Sequence, residues 1–477
     1  MTSALPADAA LVPLATGFAP PDRQAWLALV EKTLKGAPLG SLTRRTLEGL
    51  EIQPLYEAAA VSFPAKSAPG WDLRALVRAA DPAAANADAL ADLAQGAQSL
   101  LLRIDPTGRA GVALGSAEAL ARVLDGVLLE VAPVALDAGF LGAKAADWLV
   151  AAAKGAPVAQ LAFHLDPLSA FAAAGESPDP IEAHLIAAAS VAARLAEPYP
   201  KASLFLASGR AAHEAGGGEA LELALAAASA LAYAKALARA GLPTQDAFER
   251  IVLGLSVDAD YFLSLAKLRA ARRIWGRLTE ACGAACAARV EARASDRMLT
   301  RADPWTNLIR LTAAAFAGAA GGADAVVLGA FTDALGAPTG FARRQSRNIQ
   351  LVLAEEAHVG RVIDPAGGSG YLETLTDEIA RAAWTRFQAI EAAGGVVRAL
   401  ESGHIADLAA QSRAELAGRL GRREVKLLGV TDFPIDGGVA PDLASAAAHA
   451  AEAPSPRLPG PDSRCPPLAP VRLEDLA

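Results

Sequence analysis

The stretch Arg301–Tyr371 constrains this chain most, because it sets two apolar runs between helices and glycine turns. AFAGAA ends at Gly321 and Gly322, where residues without a β-carbon leave a helix through dihedrals closed to other residues. The six residues Ala325–Ala330, AVVLGA, are too short for an average helix and carry no charge, which suits a strand covered on both faces. Arg361–Asp364 reads as a second buried strand opening into Pro365, Ala366, Gly367, Gly368 and Ser369. Two βα units in succession point to a parallel sheet.

The same rhythm begins after Pro64 and Pro69. Strands are expected at Ser99–Ile104, Val127–Val131, Gln160–Leu165, Ala202–Ala207, Ile251–Val257, Cys286–Ala292, Ala325–Ala330 and Val362–Asp364. Helical stretches separate them, including Ala83–Leu93, Ala138–Ala153, Pro180–Ala196, Glu219–Ala240, Tyr261–Ala281 and Thr306–Ala320. Eight such units predict an α/β fold, a closed (β/α)8 barrel; a doubly wound sheet is the competing architecture, because rhythm does not prove closure. Residues 1–65 form an expected N-terminal arm that contacts a partner, with a helix at Asp22–Lys35 and then either a hairpin around Gly49 or an extended arm. Residues 66–435 form the barrel and its following helices, Tyr371–Ala393 and Ile405–Leu420. The proline-rich stretch 436–477 is expected to be a flexible tail, too short for an independent cofactor-binding domain.

Of the 477 residues 53% are hydrophobic, yet every long apolar run is broken by a charge, glycine or proline, so no membrane span is expected. The opening twenty residues carry no basic region before their apolar ones, which argues against a secretory signal and for the cytoplasm. A net charge of -8 argues against general nucleic-acid binding. The three cysteines form no framework, and Cys282 with Cys286 lacks a second ligand pair. No metal site is expected from six histidines without convergent partners.

Candidate site residues gather where barrel enzymes place reacting groups, at the C-terminal ends of strands. His213 and Glu214 follow the strand ASLFLAS, where a histidine would transfer protons or hold an acyl oxygen, or else bind a loop carbonyl. His164 and Asp166 end the preceding strand. His358, with Glu355 and Glu356, fits a structural network better. The loop Asp364–Ser369 offers backbone donors to a phosphate but lacks a Walker lysine. Arg343, Arg344 and Arg347 share one helical neighbourhood and bind phosphates or pair with acidic groups. The basic cluster Lys267–Arg277 reads as a solvated face, with anion contact as the alternative.

Three blocks carry a family resemblance: DADYFLSLAKLRAARRIWGRLTEACG, DPWTNLIRLTAAAFAGAAGGADAV and FARRQSRNIQLVLAEEAHVGRVIDPAGGSGYLETLTDEIA. They resemble the barrel domain of adenosylcobalamin-dependent methylmalonyl-CoA mutases, and most of all the small, or beta, subunits of heterodimeric bacterial forms. The likeness runs from WLALVEKTLKGAP to VTDFP. It implies a TIM barrel and membership of an assembly that interconverts (R)-methylmalonyl-CoA and succinyl-CoA. It also implies a large, or alpha, subunit as partner, with adenosylcobalamin and the acyl-CoA expected on that subunit.

Three departures from the family pattern imply a noncatalytic chain with no catalytic, cofactor-binding or metal residues of its own. Catalytic subunits carry Arg-Pro-Trp-Thr-Ile-Arg-Gln-Tyr, with a tyrosine of the radical site; the matching residues here run from Pro69 to Leu76, which stands in the tyrosine's place. They also carry Ser-Gly-Tyr-His-Met-Gln-Glu-Ala-Gly. This chain has Ser208-Gly209-Arg210-Ala211-Ala212-His213-Glu214-Ala215-Gly216, so the family histidine falls on Ala211. The cobalt-ligating Asp-x-His-x-x-Gly motif has no counterpart. The enzymatic alternative is an acyl-CoA mutase barrel served by a separate cobalamin-binding protein, and a third is an assembly or protection factor.

Overall fold

The computed structural model describes residues 17, 22–59, 66, 68–156, 158–435, 437–445 and 464–477. It divides into two units, Met1–Tyr56 and Glu57–Ala477. In the first, helix Arg23–Leu34 starts at Asp22, whose carboxylate accepts from the Ala25 N–H at 2.9 Å. None of its residues is buried within the unit. A short antiparallel pair, Arg44–Arg45 with Glu51–Ile52, turns through Gly49 at φ +84 and gives the hairpin, not the extended arm.

The second unit is built on eight parallel strands closed into a barrel: β1 Asp72–Val77, β2 Ser99–Arg103, β3 Val134–Asp137, β4 Leu161–Leu165, β5 Ser203–Ser208, β6 Ile251–Val257, β7 Val290–Ala294 and β8 Ala325–Val327. Closure is made by β8 against β1, with Ala325 opposite Asp72 and Val327 opposite Arg74. This is the (β/α)8 barrel, and the doubly wound alternative is excluded.

The strand set differs from the expected one in several places. β1 escapes a search for uncharged runs because its residues alternate, with Asp72, Arg74 and Leu76 half-buried and Leu73, Ala75 and Val77 buried. Val127–Val131 is a turn with Val131 75% exposed, and the strand begins after Pro133 instead. Val362–Asp364 forms no strand: Val362 and Ile363 are exposed after a short 3-10 turn at Val359–Arg361. The seventh strand also starts later than expected, at Val290 rather than Cys286.

Helix Glu219–Arg239 follows β5 and has the length and composition of a membrane span, with 78% of its apolar window buried. The burial explains the composition. One side faces β5 and β6, and the long helix Gly370–Ala392, which follows the barrel, packs over the other. A helix covered all round is apolar all round. Within the stretch expected to be a flexible tail, Arg464–Ala477 lies against the barrel. Its backbone N–H groups at Cys465, Leu468 and Val471 donate to the carbonyls of Gly175, Ala172 and Glu214. Arg472 donates to Asp296 O at 3.0 Å, and Arg301 pairs with Glu474 at 2.9 Å. This strap crosses loops that follow β4, β5 and β7.

Candidate functional site: the barrel interior and its mouth

Charged side chains from opposite walls meet inside the barrel. Going round the ring, β3 and β7 are separated by β4, β5 and β6 on one side and by β2, β1 and β8 on the other. Arg293 on β7 nevertheless reaches Asp137 on β3, Nη1 to Oδ2 at 2.7 Å. That pair spans the lumen. Arg293 Nε also donates to Glu291 Oε1 at 2.7 Å, and the other oxygen of Glu291 takes Arg74 Nη1 at 2.6 Å. Arg74 continues to Ser99 Oγ at 2.9 Å and Asp72 Oδ2 at 2.8 Å. A chain of charge-assisted bonds therefore runs from the β1 entrance to the C-terminal mouth.

Electrostatics follow from this geometry. Burial pushes the Glu291 carboxyl up, but Arg293, His164 and Arg74 outweigh it and hold the group well below the carboxylate range. Burial likewise opposes ionisation of Asp137, and Arg293 with Arg103 reverse it. An apolar layer fills further interior space: Leu101, Ala135, Ala162 and Val327, with Leu76 packed against them. Leu76 thus sits in packing contact at the position where the resemblance implies a tyrosine.

The histidines foreseen as candidates are both near the mouth and both buried. His164 has φ +44, where the pairing of β4 with β5 shifts register. Its Nδ1 is 3.8 Å from Glu291 Oε2, and burial pushes the imidazole down to about 3. His213, in the short helix Arg210–Glu214, has no exposed surface. Its Nε2 lies 3.0 Å from Ser295 Oγ and its Nδ1 3.4 Å from Glu222 Oε2. Glu222 is also paired with Lys267 at 2.5 Å. Burial first, then Arg297 and Lys267, push His213 down to about 4. It is a neutral imidazole buried inside a polar network.

Glu214 binds the same network: its Oε2 accepts from Arg297 N at 3.0 Å and Ser295 Oγ at 3.3 Å. Asp166 caps helix Pro167–Ala174 and accepts from Tyr233 Oη at 2.5 Å; burial pushes its carboxyl up to about 7. Gly209 sets the entry to the His213 helix, because a β-carbon there would lie 2.0 Å from Glu222 O. Ala211, where the family histidine falls, is half-buried in that helix.

Several of the other candidates form ion pairs. Arg343 pairs with Asp88 and Arg347 with Asp92, on the helix after β1, while Arg344 is exposed. Arg269 of the basic cluster is buried between Asp364 at 2.9 Å and Glu373 at 2.7 Å. Glu373 also takes the Gly368 N–H at 3.0 Å, so this donor of the Asp364–Ser369 loop is already answered. The expectation of a solvated face for Lys267–Arg277 is overturned by Lys267, Arg269 and Arg272, all buried and paired with Glu222, Glu373 and Asp324. His358 is exposed with φ +56, beside exposed Glu355 and Glu356. Cys282 and Cys286 are half-buried thiols pushed up by burial. Among the described residues no cluster of three or more His, Cys, Asp or Glu is arranged to hold a metal.

Sequence reasoning missed the interior network of Arg74, Arg103, Asp137, Glu291 and Arg293. The signal was the alternation in VEARAS, charges at every second position of a strand.

Comparison with known proteins adds the following. The sequence model described as Methylmalonyl-CoA mutase matches residues 65–451. The methylmalonyl-CoA mutase small subunit of Streptomyces virginiae is 40% identical over 452 residues, covering 88% of this chain and 72% of that protein. The probable small subunit of Mycobacterium tuberculosis is 40% identical over 428 residues, covering 82% and 66%. The small subunit of Propionibacterium freudenreichii subsp. shermanii is 34% identical over 459 residues, covering 89% and 70%. The chain thus spans between 66% and 72% of the length of these three relatives.

Proposed function

This chain belongs to the methylmalonyl-CoA mutase family, and from that premise we propose that it is the noncatalytic small subunit of a cytoplasmic heterodimeric mutase. Its large subunit would carry the acyl-CoA channel and adenosylcobalamin and interconvert (R)-methylmalonyl-CoA and succinyl-CoA. The Arg293–Asp137 pair across the lumen carries the reading, because an acyl-CoA threading this barrel would have to displace an ion pair whose arginine is buried. Leu76 packed in the interior and Ala211 at the mouth support it.

The residues present do not fit a cobalamin of their own. Both histidines at the mouth are buried against Glu291, Ser295 and Glu222, and the strap Arg464–Ala477 lies on the loops beside them. No chemical step is assigned to this chain. Its role is to fold as a rigid barrel and present a surface that stabilises the catalytic subunit.

The test is turnover with adenosylcobalamin, measured for this chain alone, for the large subunit alone and for the pair. The expected outcome is activity in the pair and none in this chain. Turnover by the isolated chain at the rate of the pair would sink the reading. Turnover only after addition of a small cobalamin-binding protein would favour a catalytic barrel, and a transient complex in native mass measurement would favour an assembly factor.

A further inference from the structure

We propose that the mouth of the barrel binds a small oxyanion, a phosphate or a carboxylate, through Arg103, Arg210 and Arg293. These arginines come from β2, from the helix that follows β5, and from β7. Arg293 is 5% exposed; its Nε and Nη1 are engaged by Glu291 and Asp137, and its buried Nη2 meets no acceptor. The Arg210 guanidinium makes no hydrogen bond to any described residue. Its Nε is buried without a partner, and its ion-pair contact is Glu214 Oε1 at 3.6 Å. Arg103 gives Nε alone, to Asp137 Oδ2 at 3.3 Å, and its side chain is 28% exposed.

The balance of charge favours an incoming anion. Asp137 is shared by Arg103 and Arg293, and Arg210 adds to the field that keeps it ionised. Glu214, the carboxylate nearest Arg210, already accepts from Arg297 N, Ser295 Oγ and Ser256 Oγ. Asp296 is the other carboxylate that weighs on Arg210. Burial, and then the neighbouring Arg293, disfavour the Arg210 cation, so the fold holds a guanidinium out of water without giving it a matched acceptor. A guanidinium fork satisfies such donors best with two oxygens of one planar or tetrahedral anion. Asp137 and Arg103 at about one-third exposure keep the place open to solvent. The strap against Glu214 and Asp296 flanks the same mouth and restricts the anion to a small one.

Calorimetric titration of the full chain at low ionic strength, with inorganic phosphate in one arm and malonate in the other, tests this without the partner subunit or turnover. It is therefore independent of the subunit reading above. Saturable binding of one or both anions is expected, weakened about tenfold or more in Arg210→Met and in Arg103→Met. An Arg344→Met variant, on an exposed helix face, is expected to bind as the parent does. The two arms distinguish phosphate from carboxylate. Absence of saturable binding in both arms, or equal binding in the parent and both mouth variants, overturns the proposal. Thermal melts of each variant identify loss of fold; because Arg103 is partly exposed and makes one long bond, its variant carries the test should Arg210→Met unfold.

Discussion

His213 shows what burial does to a residue with a titratable side chain. The folded imidazole accepts a proton only near 4, against 6.5 ordinarily, so between those values the unfolded chain binds a proton that the fold refuses. Stability present above pH 6.5 is therefore expected to fall as the pH drops toward 4. His213→Gln should flatten that limb in urea denaturation at pH 7 and pH 4.5. Asp166 has the opposite sign. Its folded carboxyl is raised to about 7, so its contribution is present at low pH and is lost as the pH rises through that value; Asp166→Asn should flatten that limb. Glu222 holds Lys267, 1% exposed, and Glu222→Ala is expected to cost about 3–5 kcal/mol in the same measurement, because it strands a buried ammonium. The place of His213 after a barrel strand was legible in the chain. Its partners were not, since Ser295 and Asp258 come from later βα units and meet it only in the closed barrel.

Elements with a simple apolar period were read nearly to the residue: helix Tyr261–Ala281 and strand Ile251–Val257 agree with expectation. Elements whose pattern depends on a tertiary neighbour were not. β1 carries charges that are tolerable because Glu291 and Ser99 meet Arg74 inside, and its alternation is overlooked in a search for uncharged runs. Val362 and Ile363 look like a buried strand and are exposed. The strap was hidden by composition, since prolines predict disorder but its bonds go to loops far away in sequence. Cys465 within it is 8% exposed, its Sγ donates to Phe171 O at 3.4 Å, and burial pushes the thiol up to about 11. Thiol labelling under native conditions should accordingly modify Cys282 and Cys286 well before Cys465, and a chain ending before residue 464 should melt at a lower temperature. Labelling of all three thiols at one rate would show that the strap does not stay down.

For the molecule, the bridged interior makes the barrel a packed scaffold whose integrity depends on paired charges. Arg293→Met is expected to cost about 3–5 kcal/mol by leaving Glu291 and Asp137 without their shared cation, read as a shifted denaturation midpoint. The α/β class was legible in the alternation of apolar runs and helices, closure came only with the pairing of β8 and β1, and the filling of the lumen was a matter of which side each strand residue faced. Deleting residues 1–56 should weaken pairing with a large subunit, because the helix Arg23–Leu34 half-covers Trp26, Leu27, Val30 and Leu34 and fully buries none of them. Unchanged affinity in a binding titration would remove the arm from the interface. The seam between β8 and β1 has a kinetic consequence as well. Asp72 leaves the ribosome long before Ala325, and at about 5–20 residues per second the gap is on the order of tens of seconds. Throughout that interval β1 lacks its β8 neighbour, so in any sheet formed early it is a free border, where the Asp72 and Arg74 charges disfavour pairing with strands from neighbouring chains.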